Sequence, residues 1–187
     1  MEDMDEAGDG MNRTTSTLAT LSADEKAIVL DQLLAGRPDL QKLAETYAVS
    51  LLSDEDRSAV ADEVEDALQG WDIEELNARA GRQPDGGYVD PGEAADEILD
   101  EAFGPFLEDL ERRAKLGMRS AAVEFAAGIV LGLYRCREGG SETLLEYSAD
   151  YAAERAADVV SQCAKLGIEL PSAELRDLVP EWGALLP

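Results

Sequence analysis

Between Met118 and Tyr134 the chain carries seventeen residues with only two charges, Arg119 and Glu124, among side chains such as Val123, Phe125, Ile129, Val130 and Leu133. A helix apolar on nearly every side has no face to offer water and belongs in the centre of a fold. The segment is too short and too interrupted to span a bilayer, which takes about 20 consecutive apolar residues. It therefore predicts a water-soluble bundle built around one central helix. Gly128 and Gly132 sit four apart on it. In membranes such a small-residue pair marks a dimerisation face. In a soluble core it lets a neighbouring helix come close.

The flanking sequence reads as helix in both directions. Ser22 stands three residues before Glu25 as a capping box, and Ile28, Leu30, Leu33 and Leu34 follow until Gly36 stops the run. Pro38 opens a second helix with Leu40, Leu43, Ala44, Tyr47 and Leu51 at helical spacing. Ser53 is read as its end and as the cap of a third helix bearing Val60, Val64, Ala67 and Leu68, which stops at Gly70. Asp72 caps a fourth, through Leu76 to Gly81.

After the loop 82–91, the series Ala95, Ile98, Leu99, Ala102, Phe103, Phe106, Leu107 and Leu110 keeps one face, with a kink or break expected at Gly104-Pro105. Beyond the central helix, Gly139-Gly140 turns the chain. Ser141 caps a long helix to Leu166 that would pair with the central one as an antiparallel hairpin. Pro171 starts a last short helix, and Trp182, Leu185 and Leu186 dock the terminus. No strand pattern is apparent.

The expected architecture is thus all-α: a bundle of about seven or eight helices packed as antiparallel hairpins around a central apolar helix, with a disordered acidic N-terminal tail. Residues 1–20 form the tail and 21–187 a single helical domain, whose halves 21–81 and 92–187 meet at the loop 82–91. The tail holds Asp3, Asp5 and Gly8 in the order of a calcium loop, but Ala7 and Thr14 stand where that loop needs an oxygen ligand and a bidentate Glu.

The 187 residues include 41 acidic and 16 basic ones, a net charge of −25, which repels phosphate backbones and anionic lipid. Direct nucleic-acid or membrane binding is therefore not expected. The N-terminus has no basic region with an apolar run behind it, so a cytoplasmic location is expected. Two cysteines, Cys136 and Cys163, suit a reducing compartment and lie too far apart along the expected hairpin to pair.

Histidine is absent, which removes the commonest general base and neutral metal ligand. No cofactor-binding loop is present, and no metal or cofactor is expected. Asp96, Glu97, Asp100 and Glu101 form the densest acidic group, opposite the apolar series, where a solvated helix face would lie. In the loop, Tyr88 and Asp90 are the candidate partner contacts. An aromatic among glycines and prolines is suited to recognition, although a loop tyrosine also commonly folds inward as an anchor.

Two stretches carry a family resemblance: Leu33-Leu34-Ala35-Gly36-Arg37-Pro38-Asp39-Leu40, and Gly87-Tyr88-Val89-Asp90-Pro91 with the helical run up to Leu116-Gly117. Over about Leu33 to Gly140 the chain resembles the helical region that follows the SWIM-type zinc finger in microbial proteins. The zinc finger itself needs Cys-x-Cys and Cys-x-His pairs, which this chain lacks. The turn at 137–141 also departs from that family's Asp-Asp-Ser-Asp-Gly run. The resemblance implies a stand-alone helical module of unknown function, and no metal or nucleic-acid role carries over from the zinc finger.

The function expected from the residues is a non-enzymatic protein–protein interaction module, homo-oligomeric or with another protein, using a groove bordered by residues 81–92. The alternative is an acidic nucleic-acid mimic that occupies a DNA- or RNA-binding protein. The Asp/Glu-rich, Lys-poor balance also suggests salt adaptation. Because carboxylates exceed cations by 25, screening removes more repulsion than attraction. The melting temperature is expected to rise from low to molar NaCl, as read by circular dichroism; a flat or falling profile would exclude salt adaptation.

Overall fold

A computed structural model describes residues 17–53, 55–71, 73–84, 86–138 and 143–187. The calcium-like pattern, most of the acidic tail, the Asp72 cap and the Gly139–Ser141 turn lie outside the described residues. Among those described the fold is all-α, with nine α-helices and two 3₁₀ turns. No helix among them is long and apolar enough to cross a membrane.

The chain divides into two compact units, Met1–Ala48 and Val49–Pro187, and the loop 82–91 lies inside the second. The first unit holds α1 (Thr17–Thr20), where the tail was expected to continue, and α2 (Ala23–Leu34). It also holds most of α3 (Pro38–Ser53). The Ser22–Glu25 capping box forms as the sequence predicts, with Glu25 N–H donating to Ser22 Oγ (3.2 Å) and Ser22 N–H donating to Glu25 (2.9 Å). Gln41 Nε2 donates across the turn to the Leu34 carbonyl (2.9 Å). None of α1, α2 or α3 contains a buried residue.

The second unit continues with α4 (Arg57–Gln69), α5 (Ile73–Arg79), the two-residue strands β1 (Gly81–Arg82) and β2 (Tyr88–Val89), α6 (Pro91–Lys115) and α7 (Arg119–Cys136). A 3₁₀ turn (Leu144–Glu146), α8 (Tyr151–Leu166), α9 (Ser172–Leu178) and a closing 3₁₀ turn (Pro180–Trp182) complete it. Asp56, rather than Ser53, caps α4, its carboxylate accepting from Ser58 N–H at 2.9 Å. The strands pair antiparallel, Gly81 with Val89 and Arg82 with Tyr88. Two residues per strand are too few to show a period of two, which is why the sequence reads as loop.

The helix α6 runs unbroken through Pro105. Proline cannot donate to the Glu101 carbonyl, but both residues are exposed, so water can take the donor's place. Gly117 ends α6 in the left-handed region (φ 75°). Met118 N–H there returns to the Arg113 carbonyl and Gly117 N–H to that of Ala114, a glycine-dependent helix stop. The long last helix predicted from Ser141 is divided instead. Leu144 and Leu145 are buried, but in a 3₁₀ turn, and α8 begins at Tyr151.

The central helix α7 buries twelve of its eighteen residues. Its closest neighbour is α4. A Cβ on Gly128 would stand 2.6 Å from Val60 Cβ and 2.8 Å from the Arg57 carbonyl oxygen, and one on Gly132 would stand 2.7 Å from the Ala61 carbonyl oxygen and from Val64 Cβ. The glycine pair thus brings α7 into backbone contact with α4. The contacts Glu124–Arg57, Gly128–Val60, Gly132–Val64 and Cys136–Gln69 advance together along both helices, so α4 and α7 run parallel.

Arg119, at the start of α7, donates to the Gly167 carbonyl at the end of α8 (2.9 Å), which sets those two antiparallel as predicted. Asp100 with Tyr151 (3.0 Å) and Glu111 with Gln162 (2.6 Å) make α6 and α8 parallel. The C-terminus docks through Trp182, edge-on to Tyr134 at 5.2 Å, and through buried Leu186.

Gly128→Ala and Gly132→Ala are each expected to destabilise the protein by about 1–3 kcal/mol, because the added methyl has no room. Gly104→Ala meets nothing within 4 Å beyond its chain neighbours, but its methyl would face the ring of Pro105, which disfavours a helical Cβ just before it, so it should change stability by less than about 1 kcal/mol. Urea midpoints with unchanged slopes check the contrast.

Candidate functional site

Continuing the apolar face of α6 from Leu99 through Phe103, Phe106 and Leu110 leads, three residues on, to an arginine. Arg113 is 5% exposed, the only buried charged residue among those described. Its guanidinium binds Glu55, just ahead of α4, and Asp109, one turn back on α6. It also lies over the Phe125 ring of α7, 4.1 Å from the centroid. Its buried Nε finds no acceptor among the described residues. Burial opposes the charge, yet the hydrogen bonds to Glu55 and Asp109 outweigh it and hold the Arg113 pKa above the ordinary arginine value.

Beside this residue opens a cleft of about 610 Å³. Leu52, Val60, Phe106 and Phe125 supply its apolar wall, with the Phe106 and Phe125 rings stacked at 6.5 Å. Glu55, Asp56, Glu63 and Asp109 supply its acidic groups. Four carboxylates against one arginine give the cleft a negative balance. Glu55 and Asp109 are engaged by Arg113 and Asp56 by the α4 N-terminus, whereas Glu63 stands on the exposed face of α4. The lining contains no thiol, hydroxyl or amine to act as a nucleophile.

Tyr88 and Asp90 do not line this cleft. Tyr88 is 69% exposed on β2, its ring left in solvent rather than folded inward. Asp90 caps α6, accepting from Gly92 N–H at 2.8 Å, so its carboxylate has a structural task. The acidic group on α6 is put to similar use. Asp96 accepts from the Ser148 hydroxyl, Asp100 from the Tyr151 hydroxyl, and Glu101 from Arg79 through two 2.8 Å bonds. Among the described residues no group of three or more carboxylates, thiols or imidazoles could hold a metal ion.

Burial raises both thiols, Cys136 and Cys163, to a pKa of about 11, leaving them weak nucleophiles. Burial, followed by the hydrogen bond to Asp100, likewise pushes the Tyr151 hydroxyl well above its ordinary value.

The signal that points to the cleft is present in the sequence: a lone arginine in register with an apolar stripe. The carboxylate that meets it, Glu55, is 58 residues away, and nothing local announces that pairing. Compared with known proteins, the chain matches no family model, no curated sequence and no solved structure.

Arg113→Met keeps the packing over Phe125 but strands two partly buried carboxylates. It is expected to cost about 3 kcal/mol, the usual penalty for removing one partner of a buried ion pair. Chemical denaturation measures it; a loss under about 1 kcal/mol would place Glu55 and Asp109 in effective contact with water.

Proposed function

We propose that this protein is a non-enzymatic interaction module that takes a basic, amphipathic helical segment of a protein partner into the cleft at Arg113. One observation carries the reading: an apolar wall of Leu52, Val60, Phe106 and Phe125 bordered by carboxylates, with the one cation already neutralised. A helix laid in a groove gives up its apolar face to such a wall and its basic flank to such a rim. Phe106 and Phe125 are the anchors, because aromatic pockets concentrate binding energy. The resemblance to the SWIM-associated helical region, itself a helical module, agrees with this reading.

The mimic reading has less support. Asp96, Asp100, Glu101 and Glu111 each hold a side chain from another element, a task at odds with presenting a phosphate-like stripe to a partner.

An 18-residue Leu/Lys amphipathic peptide and its Leu/Glu counterpart test the proposal by amide NMR. The basic peptide is expected to shift the resonances of Val60, Phe106 and Phe125, and the acidic one to leave them in place. Phe106→Ala should weaken the basic peptide by about tenfold. Shifts spread evenly over all carboxylate-bearing helices would mean charge attraction alone and would reject the cleft.

A further inference from the structure

A second apolar surface lies in the first unit. The predicted inward face of α3 is not covered: Leu43 is 49% exposed and Tyr47 68%. On α2, Leu30 (49%) and Leu33 (55%) are exposed in the same way. Residues three or four apart share a helix face, so each helix presents an apolar stripe. Leu34, Leu40 and Ala44 are only partly buried. Helices of 12 and 16 residues with nothing buried are marginal in water, since tertiary cover supplies most helical stability.

The chemistry around the stripes narrows what covers them. Residues 17–48 carry five carboxylates (Asp24, Glu25, Asp31, Asp39, Glu45) and three cations (Lys26, Arg37, Lys42), nearly balanced in a chain of net charge −25. Beside the α3 stripe lie Gln41, Thr46 and Ala48, all uncharged, and Asp39, which Arg37 holds through bonds of 3.1 and 2.8 Å. The acidic border that would select a basic partner is missing here. On α2, Lys26 shares the face of Leu30, four residues on.

The area suffices. Four large side chains about half exposed, with their partly covered neighbours, present on the order of 600 Å² per copy. Two copies then bury ~1,200 Å², the lower end of the range for a specific interface. Two helical hairpins packed face to face also complete a four-helix bundle, a closed and common solution.

We infer that the α2–α3 hairpin docks against the same hairpin of a second copy of this chain, forming a two-fold dimer through Leu30, Leu33, Leu43 and Tyr47. The dimer brings together two chains of −25 each, so screening strengthens it, opposite to the behaviour of a basic partner.

Sedimentation equilibrium of the full chain at 0.05 M and 1 M NaCl tests this. A dimer that tightens with salt is expected. The double variant Leu43→Glu, Tyr47→Glu replaces exposed residues, so it keeps the α4–α9 fold by near-ultraviolet circular dichroism. Its dimer dissociation constant should rise by about a hundredfold or more. Tyr88→Ala, exposed in the second unit, should dimerise like the parent. A parent that stays monomeric at both salts, a dimer indifferent to the double variant, or open-ended polymers would each overturn the inference.

Discussion

Two glycines four residues apart on α7 allow its backbone to touch that of α4, and the arrangement of the second unit follows from that contact. The methyl of an alanine at either position would overlap Val60 or Val64 and a backbone carbonyl of α4, so the approach exists only because those side chains are missing. With α4 pressed on one side, α7 still has faces for α6, α8 and α9, and it is buried nearly all round. The seam has ion pairs at both ends, Arg57 with Glu124 and Arg135 with Asp62. Close packing with glycine knobs fixes register more strictly than a layer of leucines would, since only one alignment brings both glycines under the two valines.

A surplus of carboxylates makes each cation valuable as a cross-link. Arg57 reaches α7 and α9, Arg79 ties α5 to α6, Arg137 holds the C-terminal turn at Glu181, and Arg113 joins the segment before α4 to α6 and the Phe125 ring. Exposed pairs of this kind contribute little individually, but they decide which carboxylates are engaged and which stay open to a partner. The cleft at Arg113 and the hairpin face then differ in kind. One is apolar with an acidic rim and the other apolar with an uncharged border, and surfaces so unlike select different partners and respond oppositely to salt.

Much of the fold was legible. The central helix, the capping box at Ser22, the stop at Gly117 and the close-approach reading of Gly128 and Gly132 rest on local rules that the structure obeys. The misses share a cause. The capping role of Asp56, the division of the last hairpin into a 3₁₀ turn and α8, and the two-residue strands each depend on hydrogen bonds too few or too short to leave a periodic trace. The donor missing at Pro105 predicts a kink or a break, whereas α6 runs on through it as one helix. At the site, Tyr88 and Asp90 stood out by residue type, whereas the cleft depended on Glu55 meeting Arg113 across 58 positions of chain.

Hydrophobic periodicity, caps and the absence of histidine are properties of neighbouring residues, so the sequence by itself determined an all-helical chain, which helix is central and which chemistries lack their side chains. Which helices touch, and in which direction, depends on contacts between residues far apart, for which a single sequence holds no local signal. Only the tertiary structure decided that α4 lies parallel to α7, that Arg113 is buried between two carboxylates, and that Leu43 and Tyr47, on the regular apolar stripe of α3, are exposed.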